Sequence, residues 1–267
     1  MAVLASVHGG RLTVPMRLTP LPRAKVTLGH PMPGLKHVRA AVDGIIVVDM
    51  RPPLLVWESG RYPWYFTAGD RIAGELIAAG EGARSRSLGP CEQFDLVVGS
   101  GRVLPRAVRR YPQAKNELVQ DSYTFDWDAF DTWFEENEIV YVHARDPYVR
   151  VDTLASSRHV EVGYAGVSLA ESRRPVVLLE TGLPPRFYLP RVDVRMDLLH
   201  PSDTVSGCPY KGTARYWTVA VGDREQVDAV WGYDHPLPEV AKIAGLVAFW
   251  PEKAPDISVT VDGERLT

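Results

Sequence analysis

The sequence predicts a mainly β protein that consists of two tandem, similar, small β domains. Its 22 prolines and 22 glycines separate short segments rich in Val, Ile, Tyr and Trp, a texture typical of strands joined by tight turns. Residues 38–66 align without a gap with residues 160–188, and such self-similarity indicates an internal duplication. Strands at this spacing, without a long helical pattern, favour a sandwich or a small barrel that is present twice.

Composition and charge exclude several classes of protein. With 45% hydrophobic and 24% charged residues, the chain is not a disordered one. The net charge of -3 argues against a nucleic-acid partner. Two cysteines are too few for a disulfide scaffold or a zinc ribbon. No apolar run reaches the roughly 20 residues of a membrane span, and the first ten residues lack a basic signal-peptide start, so we expect a cytoplasmic protein without a membrane partner.

The duplication rests on residues that keep their place at an offset of 122 positions. The same offset returns later in the chain, where Ala107, Val108 and Tyr111 match Ala229, Val230 and Tyr233. The identities in the main aligned stretch are Val38/Val160, Gly44/Gly166, Arg51/Arg173, Pro53/Pro175, Glu58/Glu180, Gly60/Gly182 and Pro63/Pro185.

Each copy is predicted to contain the same elements in the same order. Two strands turn at Gly44 or Gly166, where glycine tolerates a positive φ. An almost wholly apolar strand follows and ends at Glu58 or Glu180, and an aromatic strand comes next. Short helical stretches are then expected over residues 71–79 and 194–199, with Asp70 and Asp193 as N-caps.

One amphipathic helix is predicted late in the first copy, in the segment DWDAFDTWFEENE that begins at residue 126. Trp127, Phe130, Trp133 and Phe134 fall on one helical face, and acidic residues occupy the other face and the first turn. The predicted domains are an extended, Pro-rich N-terminal arm over residues 1–36 with a possible strand at 11–18, a first β repeat over 37–147 and a second over 148–267.

The second half of the chain contains several distinctive sequence motifs. They include HARDPYVRVD from residue 143, SGCPYKGTARYW from residue 206, AVWGYDHPLP from residue 229 and IAGLVAFWPE from residue 243. In these motifs the chain resembles the tandem, two-copy form of domain-of-unknown-function family 427, which is also labelled nucleotidyltransferase-like. The resemblance implies a compact β domain similar to the β-tent group, present twice, and it implies no settled reaction.

The residues do not support the nucleotidyltransferase label. That chemistry needs a Gly-Ser loop closely followed by paired aspartates that hold metal ions. Here Gly99-Ser100 is too far from Asp126 and Asp128, and no phosphate-binding GxxxxGK[ST] loop is present.

The second copy carries the candidate site, and the first copy carries a degenerate version of it. Where the second copy has CPYKG at 208–212, the first has CEQFD from Cys91. Where the second has WGY at 231–233, the first has RRY at 109–111. A Pro-Tyr-Lys-Gly turn holds a thiol near an ammonium group, which favours the reactive thiolate. The candidate catalytic residues are Cys208, Lys211 and Glu180. The candidate ligand-binding residues are Arg173, Tyr188, Tyr210, Trp217, Trp231 and Tyr233.

Structural roles remain open for each of these residues. Cys208 could instead be a buried, inert thiol, because free cysteine is among the most buried residue types, and the aromatic residues could instead pack in the core. The repeated Arg51 and Arg173 could pair with the repeated Glu58 and Glu180 to close each domain. The charged segment 143–152 is expected to form an ion network between the copies, or else the wall of a pocket at their interface. No metal-ligand spacing is present, so no metal site is predicted.

Two functions of different classes follow from these observations. In the first, a pocket in the second copy binds an unidentified small molecule, and the protein either catalyses a reaction of this molecule or only binds it. The alternative is a non-catalytic interaction protein in which duplication serves to bury surface, and a wide exposed apolar patch without a cleft would favour it. The cofactor, the substrate, the reaction and the oligomeric state are not predicted by the sequence.

Overall fold

Antiparallel strands form most of the regular structure in the computed structural model, which describes residues 22–266. The strands of the first copy are β1 (Pro31–Pro33), β2 (Val38–Val42), β3 (Ile45–Met50), β4 (Leu54–Val56), β5 (Trp64–Phe66), β6 (Glu75–Glu81), β7 (Glu92–Val97), β8 (Val103–Arg110), β9 (Tyr123–Phe125), β10 (Thr132–Glu135) and β11 (Glu138–Val140). Those of the second copy are β12 (Val151–Ala155), β13 (Val160–Tyr164), β14 (Val167–Ser172), β15 (Val176–Glu180), β16 (Arg186–Tyr188), β17 (Leu199–Cys208), β18 (Gly212–Val221), β19 (Arg224–Gly232), β20 (Val247–Phe249), β21 (Ser258–Val261) and β22 (Glu264–Arg265).

The two copies have the same sheet topology, which confirms the predicted duplication. In the first copy the sheets run β1-β4-β5, β11-β10-β2-β3 and β6-β7-β8-β9. The second copy repeats them as β12-β15-β16, β22-β21-β13-β14 and β17-β18-β19-β20. The described strands form open sheets, so the β prediction holds without a closed barrel.

The first hairpin of each copy forms at the predicted glycine. Asp43 and Gly44 have φ values of +52° and +76°, and Ala165 and Gly166 have +51° and +79°. Two successive positive φ values are those of a type I′ turn, whose twist matches that of the flanking strands. Both hairpins also shift register at the same place, after Ala40 in one copy and after Val162 in the other.

Each copy buries one large and one small apolar cluster. The small clusters are equivalent, because Val56, Phe66 and Tyr111 occupy in the first copy the places of Leu178, Tyr188 and Tyr233 in the second. These clusters lie beside the ends of β4 and β15, where the repeated glutamates stand.

The predicted amphipathic helix over residues 126–138 is wrong. Only Trp127–Ala129 is helical, as one 3-10 turn, and the segment continues as the hairpin β10–β11. The apolar spacing satisfies a different arrangement, in which Trp127 stacks on Trp133 with centroids 4.6 Å apart. Phe134 faces the other side of the strand, beneath the guanidinium of Arg39.

The short helices after the aromatic strands are 3-10 turns, at Gly69–Arg71, Arg191–Asp193 and Met196–Leu198. Most of the stretch 71–79 is instead strand β6, because Gly74, with φ +137°, redirects the chain into pairing with β7. The predicted N-caps are also wrong. Asp70 lies inside its turn, and the Asp193 carboxylate accepts hydrogen bonds from Ser172 and Arg174.

The extended segment before residue 37 contributes β1, which pairs with β4. The possible strand at 11–18 lies outside the described residues. Within residues 22–266, no helix is both long and apolar enough to cross a membrane.

The segment between the copies is held by Asp146, which is buried. Its carboxylate accepts a hydrogen bond from the indole Nε1 of Trp57 at 3.1 Å. Its backbone N–H donates to the Tyr210 hydroxyl at 2.7 Å. One residue therefore contacts the first copy and the turn at 208–212 of the second.

The predicted ion network between the copies is present only in part, because Arg150 pairs with Asp152 inside the segment at 2.8 Å and His143 makes uncharged contacts. His143 stacks on Tyr62 with centroids 3.9 Å apart, and burial lowers the pKa of its imidazole, which favours the neutral ring. One ion pair reaches the second copy, between Arg145 and Glu239 at 3.6 Å.

The hairpin geometry makes a stability prediction. Replacing Gly44 with Ala places a side chain at φ +76°, and we expect a loss of about 1 kcal/mol of unfolding free energy. Gly60→Ala is the matched control, because Gly60 has open space around its Cβ position and no positive φ. Urea denaturation measures both variants, and equal effects would contradict the turn argument.

Candidate functional site

Glu180 is the last residue of β15 and faces the small core of the second copy. Alternation along a strand places it on the same side as the buried Leu178. Its side chain is therefore carried into apolar surroundings, where a carboxylate is stable only with a partner.

Lys211 supplies that partner from the turn at residues 208–212. The Lys211 backbone N–H donates to the Cys208 carbonyl at 3.3 Å, and the Leu237 N–H donates to the Lys211 carbonyl at 3.1 Å. Gly212 completes the turn with φ +97°. This geometry directs the ammonium group onto Glu180 Oε2. Both residues are nearly buried, with 7% of Glu180 and 8% of Lys211 exposed.

Aromatic side chains stand around this ion pair. The Trp231 indole N–H donates to the Tyr188 hydroxyl at 3.0 Å, and the two rings meet edge to face with centroids 6.2 Å apart. Trp250 also meets Trp231 edge to face, with ring centroids 5.6 Å apart. Burial raises the pKa of the Tyr188 phenol, so this hydroxyl remains protonated.

A cavity of about 340 Å³ opens above the pair. Its walls are mainly apolar, with ion-pair members at their base and rim. The lining residues are Leu178, Glu180, Leu183, Pro184, Arg186, Tyr188, Lys211, Tyr216, Trp231, Trp250 and Glu252.

The structure brings four of the nine predicted site residues to this cavity, namely Glu180, Lys211, Tyr188 and Trp231. The other five do not line it. Trp217 packs in the large core, with the guanidinium of Arg191 5.1 Å from its ring centre. Tyr233 packs in the small core, Tyr210 bonds to Asp146, and Arg173 is exposed.

Cys208 lies at the end of β17, half-buried, and is paired in the sheet with Gly212. Its thiol does not line the cavity.

The sequence prediction missed several wall residues, chiefly Arg186, Tyr216, Trp250 and Glu252. A signal for Arg186 was present, because it lies two residues before Tyr188 on the same strand and therefore shares its face. Tyr216 was displaced in the prediction by its neighbour Trp217, which faces the opposite side of β18.

The first copy also keeps a cation beside its repeated glutamate, but takes it from another position. Glu58 Oε1 lies 3.6 Å from Arg109 Nη1 and accepts a hydrogen bond from the Tyr111 hydroxyl at 3.2 Å. The place of Lys211 is taken by Leu88, which is fully buried. This equivalence follows from strand register. Glu92 pairs with Arg110 as Arg215 pairs with Gly232, so Glu92 corresponds to Arg215. Leu88 and Lys211 each lie four residues before these positions.

The structure corrects two expectations. Cys91 corresponds to Ala214, not to Cys208, because it precedes Glu92 as Ala214 precedes Arg215. The predicted pairing of repeated arginines with repeated glutamates is also wrong. Arg51 pairs with Asp49 at 2.9 Å, while Glu58 and Glu180 pair with Arg109 and Lys211.

Both copies contain an arginine stacked on a tryptophan, but the arginine and the tryptophan exchange strands between the copies. In the first copy Arg109 on β8 lies over Trp64 on β5, 4.6 Å from the ring centre. In the second, Arg186 on β16 lies over Trp231 on β19 at 5.6 Å. The two strands thus present the same pair of side chains in opposite order.

Within the described range, no group of three or more His, Cys, Asp or Glu side chains is arranged to hold a metal ion.

Comparison with known families identifies the chain. The model described as a domain of unknown function, DUF427, matches residues 32–136 and again residues 152–263. The chain therefore belongs to this family and carries its domain twice. A search of curated proteins finds no match.

The buried ion pair makes a second stability prediction. Lys211→Met leaves Glu180 without its cation, and we expect a loss of about 3 kcal/mol of unfolding free energy at neutral pH. The double variant Lys211→Met/Glu180→Gln should recover part of the loss, because it removes the unpaired charge. Arg195→Met is the control, since its pair with Asp197 is solvent-exposed and contributes little. Chemical denaturation measures these differences, and an unchanged midpoint for Lys211→Met would refute the pairing.

The two thiols should differ in reactivity. Burial raises the pKa of the Cys91 thiol, which packs against Gly82 and the Ala83 carbonyl, so we expect slow alkylation by iodoacetamide. The half-buried Cys208 should react first in the native protein, and peptide mass spectrometry locates the label. Cys208→Ala should then remain unlabelled until urea is added; rapid native labelling of Cys91 would count against this assignment.

Proposed function

We propose that the second copy binds a small planar molecule in the cavity above Glu180 and Lys211. The observation that carries this proposal is a buried ion pair in the wall of a mainly apolar cavity that four aromatic side chains also line. A volume of about 340 Å³ is within the range of small-molecule sites, which are typically about 300–1,000 Å³. Aromatic walls favour a flat ring, which stacks on them or meets their edges.

The ion pair supports this proposal because both partners retain hydrogen-bonding capacity. An ammonium group has three donors and a carboxylate about four acceptor positions, and their mutual contact uses only a part of these. A ligand with a donor and an acceptor on one edge would satisfy the remainder. Glu180 and Lys211 are thus orienting groups for the polar edge of the ring.

The position of Cys208 favours binding over cysteine chemistry, since this thiol lies outside the cavity wall. The presence of a cleft favours the ligand-binding function over the interaction protein, for which a wide apolar patch without a cleft would be the support.

We also propose that the two domains meet near residues 147 and 148, that the first domain includes β1 from the segment before residue 37, and that the protein acts in the cytoplasm. The free thiols Cys91 and Cys208 support a reducing compartment.

Calorimetric titration with 2-naphthamide, a neutral bicyclic probe, tests the binding proposal. We expect a dissociation constant on the order of 1 mM or tighter, from the usual affinity per atom of such ligands. Trp231→Leu should weaken binding at least tenfold, because it removes a wall of the cavity. Trp64→Leu is the matched control, since this tryptophan has the same stacked arginine in the first copy. Absence of binding, or equal loss in both variants, would defeat the proposal.

A further inference from the structure

Arg186 stands at the junction of two cavities. One is the 340 Å³ aromatic cavity. The other, of about 190 Å³, is lined by four prolines together with Arg186, Glu252, Ile257, Arg265 and Leu266. The two share Pro184, Arg186 and Glu252. Arg186 therefore borders both cavities.

The carboxylate that holds Arg186 is a replaceable one. Arg186 Nη2 lies 2.7 Å from Glu252 Oε1, and 18% of the arginine side chain is exposed against 44% of the glutamate. An ion pair with a partner so open to solvent contributes little to stability. A ligand anion that reaches the guanidinium inside the cavity would be better shielded from water and would compete with Glu252.

Comparison of the copies shows why Arg186 lacks a buried carboxylate. In the first copy the stacked arginine, Arg109, is next to the strand-end glutamate Glu58, of which only 16% is exposed. In the second copy Lys211 occupies the corresponding carboxylate of Glu180. The stacked arginine of the second copy, Arg186, comes from the other strand of the stack and pairs with Glu252 instead.

We propose that Arg186 is the anion-recognition residue of the second copy and that the ligand class is a planar aromatic ring bearing an anionic group. The inference rests on the proposed function, and adds the charge of the ligand to it. The ring lies against Trp231 and Trp250, and the anion takes two parallel hydrogen bonds from the guanidinium. Glu252 holds this position in the absence of ligand and moves into solvent when ligand binds.

A carboxylate and a phosphate share this chemistry, and three probes with one ring distinguish them. They are 2-naphthamide, 2-naphthoate and 2-naphthyl phosphate, compared by calorimetric titration at neutral pH and low salt. We expect both anions to bind the wild-type protein at least tenfold more tightly than the neutral amide. The tighter of the two anions then identifies the natural group as a carboxylate or a phosphate.

Variants of the ion pair separate the inference from a general charge effect. Glu252→Gln should tighten naphthoate binding several-fold and leave naphthamide binding unchanged, because only the anion competes with this carboxylate. Arg186→Gln should abolish the difference between the acid and the amide, and Arg186→Lys should retain part of it, since the charge remains without the planar fork. Arg109→Gln in the first copy is the control and should preserve the difference.

The outcomes for the two proposals are distinguishable. If naphthamide binds and naphthoate binds no more tightly, the binding site stands and the anion inference fails. The anion inference also fails if Arg186→Gln still prefers the acid. If none of the three probes binds, both proposals fail.

Discussion

A carboxylate carried to the end of an apolar strand is the constraint around which each copy is organised. Glu58 and Glu180 occupy the same place, and neither can be buried as an ion without a cation beside it. In the first copy Arg109 on β8 pairs with Glu58, and in the second copy Lys211 in a tight turn pairs with Glu180. In the second copy the stacked arginine, Arg186, pairs with Glu252 instead, and a cavity lies beside the stacked tryptophan. In the first copy, Leu88 fills the lysine's position with apolar volume.

The parts of the fold that sequence could predict are those fixed by local chemistry. The hairpins at Gly44 and Gly166 were predictable because few residues other than glycine take a positive φ at little cost. The segment at 126–138 was not predictable, because the spacing of Trp127, Phe130 and Trp133 is compatible with one face of a helix. The same spacing is equally compatible with the cluster of rings that these side chains form at the start of β10. Tertiary packing selects the strand over the helix, and the residues of the segment alone do not distinguish these two structures.

The candidate site shows the same division. Glu180 was predictable because it is repeated, and Lys211 because it belongs to a distinctive turn. Tyr216 and Trp217 illustrate what was out of reach: adjacent residues on a strand face opposite sides, so a shift of one position exchanges a wall residue for a core residue. Arg186 and Glu252 are separated by 66 positions in the chain, and their contact depends on how β16 and the segment after β20 come together.

Asp146 sets a limit on how this chain can change during evolution. It lies outside the strands of both copies, yet its two polar groups bind an indole on one side and a phenol on the other. One inserted or deleted residue near it would displace it by about 3.3 Å, enough to break both hydrogen bonds at once. Connectors between domains ordinarily tolerate changes of length; this one should be among the segments of the gene least tolerant of indels, although it contributes to no sheet.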